Sequence, residues 1–295
     1  MANSEWRIAK TERRIARVYC LVPACLFAFS PMGCNLPHRA RNDARLAGAS
    51  DTPRLDYSDW ALTLSRCVRG DNIDYVGLKT RPESLRAFID QIARVGPRTT
   101  PDQFPDARAE AAFLINAHNA ILLHEIITET RGMPERRVTL DPWTGGGVDN
   151  RHMTLAALRS RIADLLNDDW RIRFVLFDAR RDGPPLRPRP ILPDTLEAQL
   201  NQITRAALTR PQVVRIDHGT QRLLLWRGLF EIRARLIADY ERRYHTTDAT
   251  VLSVLLDLAD VDRRVVLNTA IGYAVDALPA DDRLAIAPTD QPKLR

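Results

Sequence analysis

The chain has 295 residues, 45% of them hydrophobic, and a formal charge of +6, which allows a packed core and argues against global disorder. Half of that excess charge precedes residue 34, where Arg7, Lys10, Arg13, Arg14 and Arg17 outnumber Glu5 and Glu12. The later arginines are scattered among acids, as in Glu135-Arg136-Arg137, with no basic run interleaved with base-stacking aromatics. That pattern describes a solvated surface and excludes nucleic acid as the expected partner.

In chain order, the basic stretch ending at Arg17 is followed by an uncharged apolar run from Val18 to Phe29. This run is shorter than the ~20 residues a bilayer span needs and fits a secretory h-region, so residues 1–33 are predicted as a signal peptide. Gly33-Cys34 suggests the lipoprotein type, in which Cys34 is acylated after cleavage, although Pro31 and Met32 replace the usual Leu and small residue. A conventional signal, or an uncleaved anchor with Cys34 as an ordinary thiol, remains open. The expected location is the periplasm or cell envelope, with the N-terminal segment at the membrane surface if Cys34 is lipidated. Cys20, Cys25 and Cys34 belong to this segment, leaving Cys67 alone in the body. One thiol makes no intrachain disulfide, and no Cys/His spacing suits a metal, so neither metal nor cofactor is expected.

Residues 34–53 read as a polar linker, 54–278 as the folded domain and 279–295 as a disordered tail. Helices are predicted over Leu55–Val68 and Pro82–Val95, then a Pro/Thr-rich loop over Gly96–Pro105. The segment 110–130 reads as a helix apolar almost all round. Met133–Asn150 reads as loop or short strand with a glycine hinge at Gly145–Gly147. Thr154 is a good N-cap for a helix ending at Leu166. Ile172–Phe177 is a short continuous apolar run that suits a buried strand. Five prolines within Arg180–Pro193 require an extended loop. A helix over Thr195–Leu208 follows, then a hairpin of Val213–Ile216 and Leu223–Trp226 about His218-Gly219-Thr220. Helices over Leu229–Tyr244 and Thr250–Leu258, and one or two closing strands within Val265–Ala277, complete the order. The sum is an α+β fold: a mainly helical single domain with a small, mostly antiparallel sheet around a long buried central helix.

Within that helix, Ala112-Phe113-Leu114-Ile115-Asn116-Ala117-His118-Asn119-Ala120 resembles the A-F-W-I-N-x-Y-N-A of DUF547, a bacterial and plant domain family of unknown function. Three further segments match the family in order. His152-Met153-Thr154-Leu155 is similar to its S-L-x-x-I-E, and Arg171-Ile172-Arg173-Phe174 to its R-I-H-F-A. The segment from Phe177 to Leu186 is similar to its C-A-S-x-x-C-P-P-L. There are departures: Leu114 replaces Trp and His118 replaces Tyr. Arg173 stands in place of His, Ala157-Leu158-Arg159 lacks the family's Glu-His, and Asp178 and Gly183 stand where the family shows cysteines. Thiol chemistry is therefore not carried over.

At about 100° per residue, Asn116 and Asn119 share the centre of one apolar face, whereas His118 faces elsewhere and His124 elsewhere again. A buried amide without partners costs ~1–3 kcal/mol, so both must be bonded, most simply to the Gly145–Gly147 or Pro184-Pro185 loops. They either pin loops to the core or line a binding pocket, for which Trp143 is a further candidate wall. Asp178 ends the apolar run, and paired with His118 or His152 it forms a candidate general base and orienter. No nucleophile elbow, His-Glu-x-x-His or phosphate loop is present. Two readings follow. The first is an exported, noncatalytic binding or structural module for an envelope component or small molecule. The second is a hydrolase- or transferase-like enzyme using His118 or His152 with Asp178.

Overall fold

A computed structural model describes residues 53–129 and 144–287. The expected signal peptide over residues 1–33, Cys34, most of the expected linker and Trp143 lie outside the described residues.

Helix α1 (Ser58–Cys67) leads through a two-residue ladder, β1 (Val68–Arg69) and β2 (Asn72–Ile73), to α2 (Tyr75–Thr80) and α3 (Glu83–Arg94). In α3, Leu85, Phe88 and Ile92 recur at helical spacing and are fully buried, while its other side is charged. Trp60 of α1 stacks on Phe88 with ring centroids 5.5 Å apart. Cys67 ends α1 as a small buried core residue, and burial pushes its thiol up to about 12.

Helix α4 (Ala107–Glu129) begins where the Asp106 carboxylate accepts from the Ala109 N–H. By length and composition alone it would cross a membrane, but 83% of that window is buried inside the domain. It packs against α2, α3 and two later elements, β3 (Gly145–Val148) and α5 (Leu155–Leu165). Apolar side chains all round are what a helix enclosed by neighbours requires, each fully buried Leu or Ile contributing ~1.5–3 kcal/mol.

Gly145–Gly147 form no hinge. They make up most of β3, paired antiparallel with β4 (Arg151–Thr154), with Gly145 opposite Thr154 and Gly147 opposite His152. Glycine is required because the strand lies close on its neighbours: a Cβ on Gly145 would meet the Met153 carbonyl oxygen at 2.2 Å. Thr154 then caps α5, accepting from the Ala157 N–H at 3.1 Å.

The strand expected over Ile172–Phe177 is instead a 3-10 turn over Trp170–Phe174 followed by irregular chain. Asp169 captures the backbone by accepting from the Arg171 N–H, and its carboxylate also holds the Arg171 guanidinium. A short apolar run cannot by itself distinguish strand from other buried chain. Here the enclosing helices supply the burial, and no ladder partner is present among the described residues.

Helix α6 (Leu196–Leu208) precedes the hairpin of β5 (Val214–Asp217) and β6 (Arg222–Leu225), and α7 (Arg227–Tyr244) and α8 (Val251–Leu258) follow. Of the one or two strands expected within Val265–Ala277, one forms. The first part of that segment continues α9 (Val261–Asn268), capped by Asp260, and β7 (Ala274–Ala277) then joins β6 in parallel. The chain stays packed past 278. Leu284 and Ala285 are buried, and backbone pairs join Leu284 to Arg180 and Ile286 to Ile73. That part of the expected disordered tail is thus corrected; residues 288–295 lie outside the described chain.

Candidate functional site

The polar residues of α4 hold irregular chain in place. Asn116 Oδ1 accepts from the Ile191 N–H (3.0 Å) and from Trp60 Nε1 (3.0 Å), while its Nδ2 donates to the Ile191 (2.7 Å) and Ala112 (2.9 Å) carbonyls. Asn119 Nδ2 donates to the Val175 carbonyl (2.9 Å) and its Oδ1 accepts from the Phe177 N–H (3.0 Å). Each amide supplies the donor and acceptor that a neighbouring strand would offer, which satisfies backbone that has no ladder. The expectation of side-chain partners at Gly145–Gly147 or Pro184-Pro185 is corrected: the loops pinned are 175–177 and the one at Ile191.

His118 shares Asn119's network despite facing a different side of the wheel. Its Nδ1 lies 3.0 Å from Asn119 Oδ1, and Arg159 Nε donates to its Nε2 at 2.9 Å. A guanidinium only donates, so Nε2 must accept, and the ring proton therefore sits on Nδ1 and points at Asn119. The imidazole has no solvent exposure; burial, reinforced by the Arg159 charge, lowers its pKa to about 3. Neutral His118 is the inner end of a polar chain whose outer end, Arg159, stands at the surface of α5.

Arg159 lines a cleft of about 350 Å³ together with Arg173, Asp178 and Arg180. The far wall comes from the start of α7, with Trp226, Arg227 and Glu231. Arg180 is held by Asp182 through Nε and Nη2 at 3.1 and 3.2 Å, and Arg227 pairs with Glu231 at 3.5 Å. A second cleft, about 420 Å³, shares Asp182, Trp226 and Arg227 with the first and adds Arg181 and Arg215.

Asp178 sits at the bend of the cleft floor, where it accepts from the Arg180 N–H at 3.0 Å. Burial pushes its carboxyl up to about 6, against the opposing pull of that N–H and of the nearby guanidinium groups. The next residue, Ala179, takes a left-handed φ of 64°, strained for a side chain with a Cβ. Gly183 lies directly under the carboxylate: a Cβ there would fall 1.9 Å from Asp178 Oδ1.

Of the candidates, Asn119 and His118 are bonded to each other, and His118 is joined to the Asp178 cleft through Arg159. Asn116 is sealed in the core, and His152 is exposed on β4 and does not line the cleft. Among the described residues no three His, Cys, Asp or Glu side chains gather as a cation-binding set. The arginines of the cleft were missed as site residues. Their signal was the pair of departures already visible at Arg159 and Arg173, whose spatial meeting no periodicity reveals.

No curated protein and no solved structure matches the chain. Residues 102–206 match the family model DUF547, protein of unknown function, a segment that runs from just before α4 to the end of α6 and contains Asn116, His118, Arg159, Arg173 and Asp178. That segment is a DUF547 domain match, and the comparison reaches no further along the chain.

Proposed function

We propose that the chain is an exported cell-envelope protein whose domain works as a noncatalytic binding module, with the Arg159–Asp178 cleft as its site. The observation that carries this reading is where the departures from the family pattern fall. Arg159, Arg173 and Asp178 line one cleft, Gly183 touches Asp178, and His118 is bonded to Arg159. Arg173 stands where the family pattern has His, Arg159 ends the segment that lacks its Glu-His, and Asp178 and Gly183 occupy its Cys positions. A cleft lined by guanidinium groups favours holding a ligand over moving protons. Both His118 nitrogens are committed, so no imidazole reaches the cleft as a base. The order of residues 7–29, basic then apolar, supports export, and Gly33-Cys34 supports acylation at Cys34. The partner is then another envelope component or a small molecule.

A panel of ester, amide, glycoside and phosphoester substrates tests the noncatalytic reading. No turnover is expected from the purified protein, and turnover that Asp178→Asn abolishes would overturn the reading. Intact-mass measurement of the membrane fraction tests the N-terminus: a chain beginning at an acylated Cys34 is expected, and an unprocessed chain sinks the lipoprotein form.

One observation favours the second reading, a hydrolase- or transferase-like enzyme. Asp178, raised to about 6, holds a mixed protonation state near neutral pH, as a general base requires. It would act without His118 or His152, and the same substrate panel decides.

A further inference from the structure

We propose that the cleft is an oxyanion site, in which Arg159 and Arg173 take a carboxylate or phosphate group and His118 is the residue that positions Arg159. This rests on the reading above that the cleft is a binding site, and deepens it to a ligand class.

The ion pairs of the cleft carry the inference. Of its four arginines, Arg180 is bonded to Asp182 and Arg227 is paired with Glu231. The Arg173 side chain makes no hydrogen bond or ion pair with any described residue. Arg159 bonds through Nε to a neutral imidazole, which contributes no charge to offset its own. Asp178 is near enough to act on Arg159 electrostatically, but its bonded donor is the Arg180 backbone. Two guanidinium groups thus share a cleft without a bonded carboxylate, an arrangement that an incoming anion stabilises and a cation does not.

The geometry of Arg159 is suited to the task. With Nε spent on His118, its four Nη N–H donors remain, and a guanidinium edge matches two oxygens of a carboxylate or phosphate. The acceptor that holds Nε is itself immobile. His118 is fully buried and its other nitrogen is fixed by Asn119, whose amide is bonded to the backbone at Val175 and Phe177. A side chain ordered before the ligand arrives loses less entropy on binding. The volume of about 350 Å³ takes a single acidic group with a small body attached.

Calorimetric titration of the purified full chain with inorganic phosphate and with succinate tests this. Saturable one-to-one binding of at least one probe is expected, and the probe preferred separates phosphate from carboxylate as the natural group. Arg159→Gln and Arg173→Gln should each weaken it about tenfold or more, the usual scale of a lost charge-assisted hydrogen bond. Arg66→Gln, an exposed arginine of α1 outside the cleft, should leave it unchanged. Wild-type protein that melts cooperatively but binds neither probe overturns the proposal, as does Arg159→Gln with wild-type affinity. For His118, the Leu variant should weaken binding as Arg159→Gln does, and the Gln variant, which retains an acceptor, should recover it to within about threefold. Unchanged affinity in His118→Leu refutes the positioning role, as does a folded His118→Gln that loses binding to the extent of Arg159→Gln. These readouts involve no turnover. A catalytic result in the substrate panel would overturn the noncatalytic reading while leaving the anion result standing, and the converse also holds.

Discussion

Arg159 Nε lies 2.9 Å from His118 Nε2, and that one contact fixes the protonation state of a wholly buried imidazole. Protonating His118 would set a donor against a donor and a charge against a charge. Its pKa of about 3 lies below the ordinary value of 6.5, so the unfolded chain binds the proton more readily. The stability His118 contributes is fully present above pH 6.5 and is lost as pH falls toward 3. Urea denaturation of wild type and His118→Gln from pH 7 to pH 4 should show the wild type losing more stability on acidification. Parallel curves would refute the assignment.

Asp178 has the opposite sign. Its folded pKa of about 6 exceeds the ordinary 3.8, so the folded state holds the proton more tightly. The stabilisation is complete below pH 3.8 and is lost as pH rises through 6. Asp178→Asn keeps the acceptor for the Arg180 N–H and removes the buried charge. It should match wild type near pH 4 and exceed it at pH 7.5 by about 1–3 kcal/mol, the scale of a two-unit shift. An Asn variant less stable than wild type at pH 7.5 would show that the carboxylate is held by attraction rather than tolerated.

The Asn116 amide serves Ile191 on both its N–H and its carbonyl, and also serves Trp60. Asn116→Ala leaves all three partners buried and unpaired, at ~1–3 kcal/mol each before relaxation. A loss of about 3 kcal/mol in the urea midpoint analysis is expected, with m unchanged. Asn116→Asp should be at least as damaging, because an oxygen then faces the Ile191 carbonyl. A cost below about 1 kcal/mol for the Ala variant would mean that water replaces the amide.

How far the sequence reaches follows from these residues. The wheel places Asn116 and Asn119 on a buried face, and burial forces partners on them, so their structural duty was legible. Which backbone they bind was not, because the partners lie 56 to 75 positions away along the chain. The long helices were legible from their 3.6-residue apolar period. The run Ile172–Phe177 misled because continuous apolarity records burial and not the strand period. The arginine cleft draws on α5, the 3-10 turn at Arg173, the irregular chain after it and α7, which only the tertiary fold brings together.

Gly145 and Gly146 separate crowding from tolerance within one strand. A Cβ on Gly145 would strike the Met153 carbonyl at 2.2 Å and the Thr154 Cα at 2.6 Å, backbone atoms of its own ladder partner. A Cβ on Gly146 would meet the side chain of Ile121 at 3.3 Å, which can yield slightly. Gly145→Ala should therefore cost more than about 2 kcal/mol and disturb the β3–β4 pair, and Gly146→Ala less than about 1 kcal/mol. Thermal melts order the two, and equal costs would contradict the crowding at Gly145.

The contact between Asp178 and Gly183 yields the sharpest test of the cleft floor. A methyl at 183 would overlap the carboxylate, which is short and tied to the Arg180 N–H, so it has little room to withdraw. Gly183→Ala alone should destabilise by about 1–3 kcal/mol, the usual cost of overpacking. In an Asp178→Ala background most of that cost should vanish, giving a coupling of about 1 kcal/mol or more in a double-mutant cycle. These are the two positions where the family pattern carries cysteines, and the same proximity suits a disulfide. In aerated buffer, with dissolved oxygen taking the two electrons and two protons, the double variant Asp178→Cys, Gly183→Cys should close a disulfide, with an intact mass lower by about two hydrogens and without engaging buried Cys67. Additive single costs together with two persistent thiols would show that the carboxylate and Gly183 are not in contact in solution.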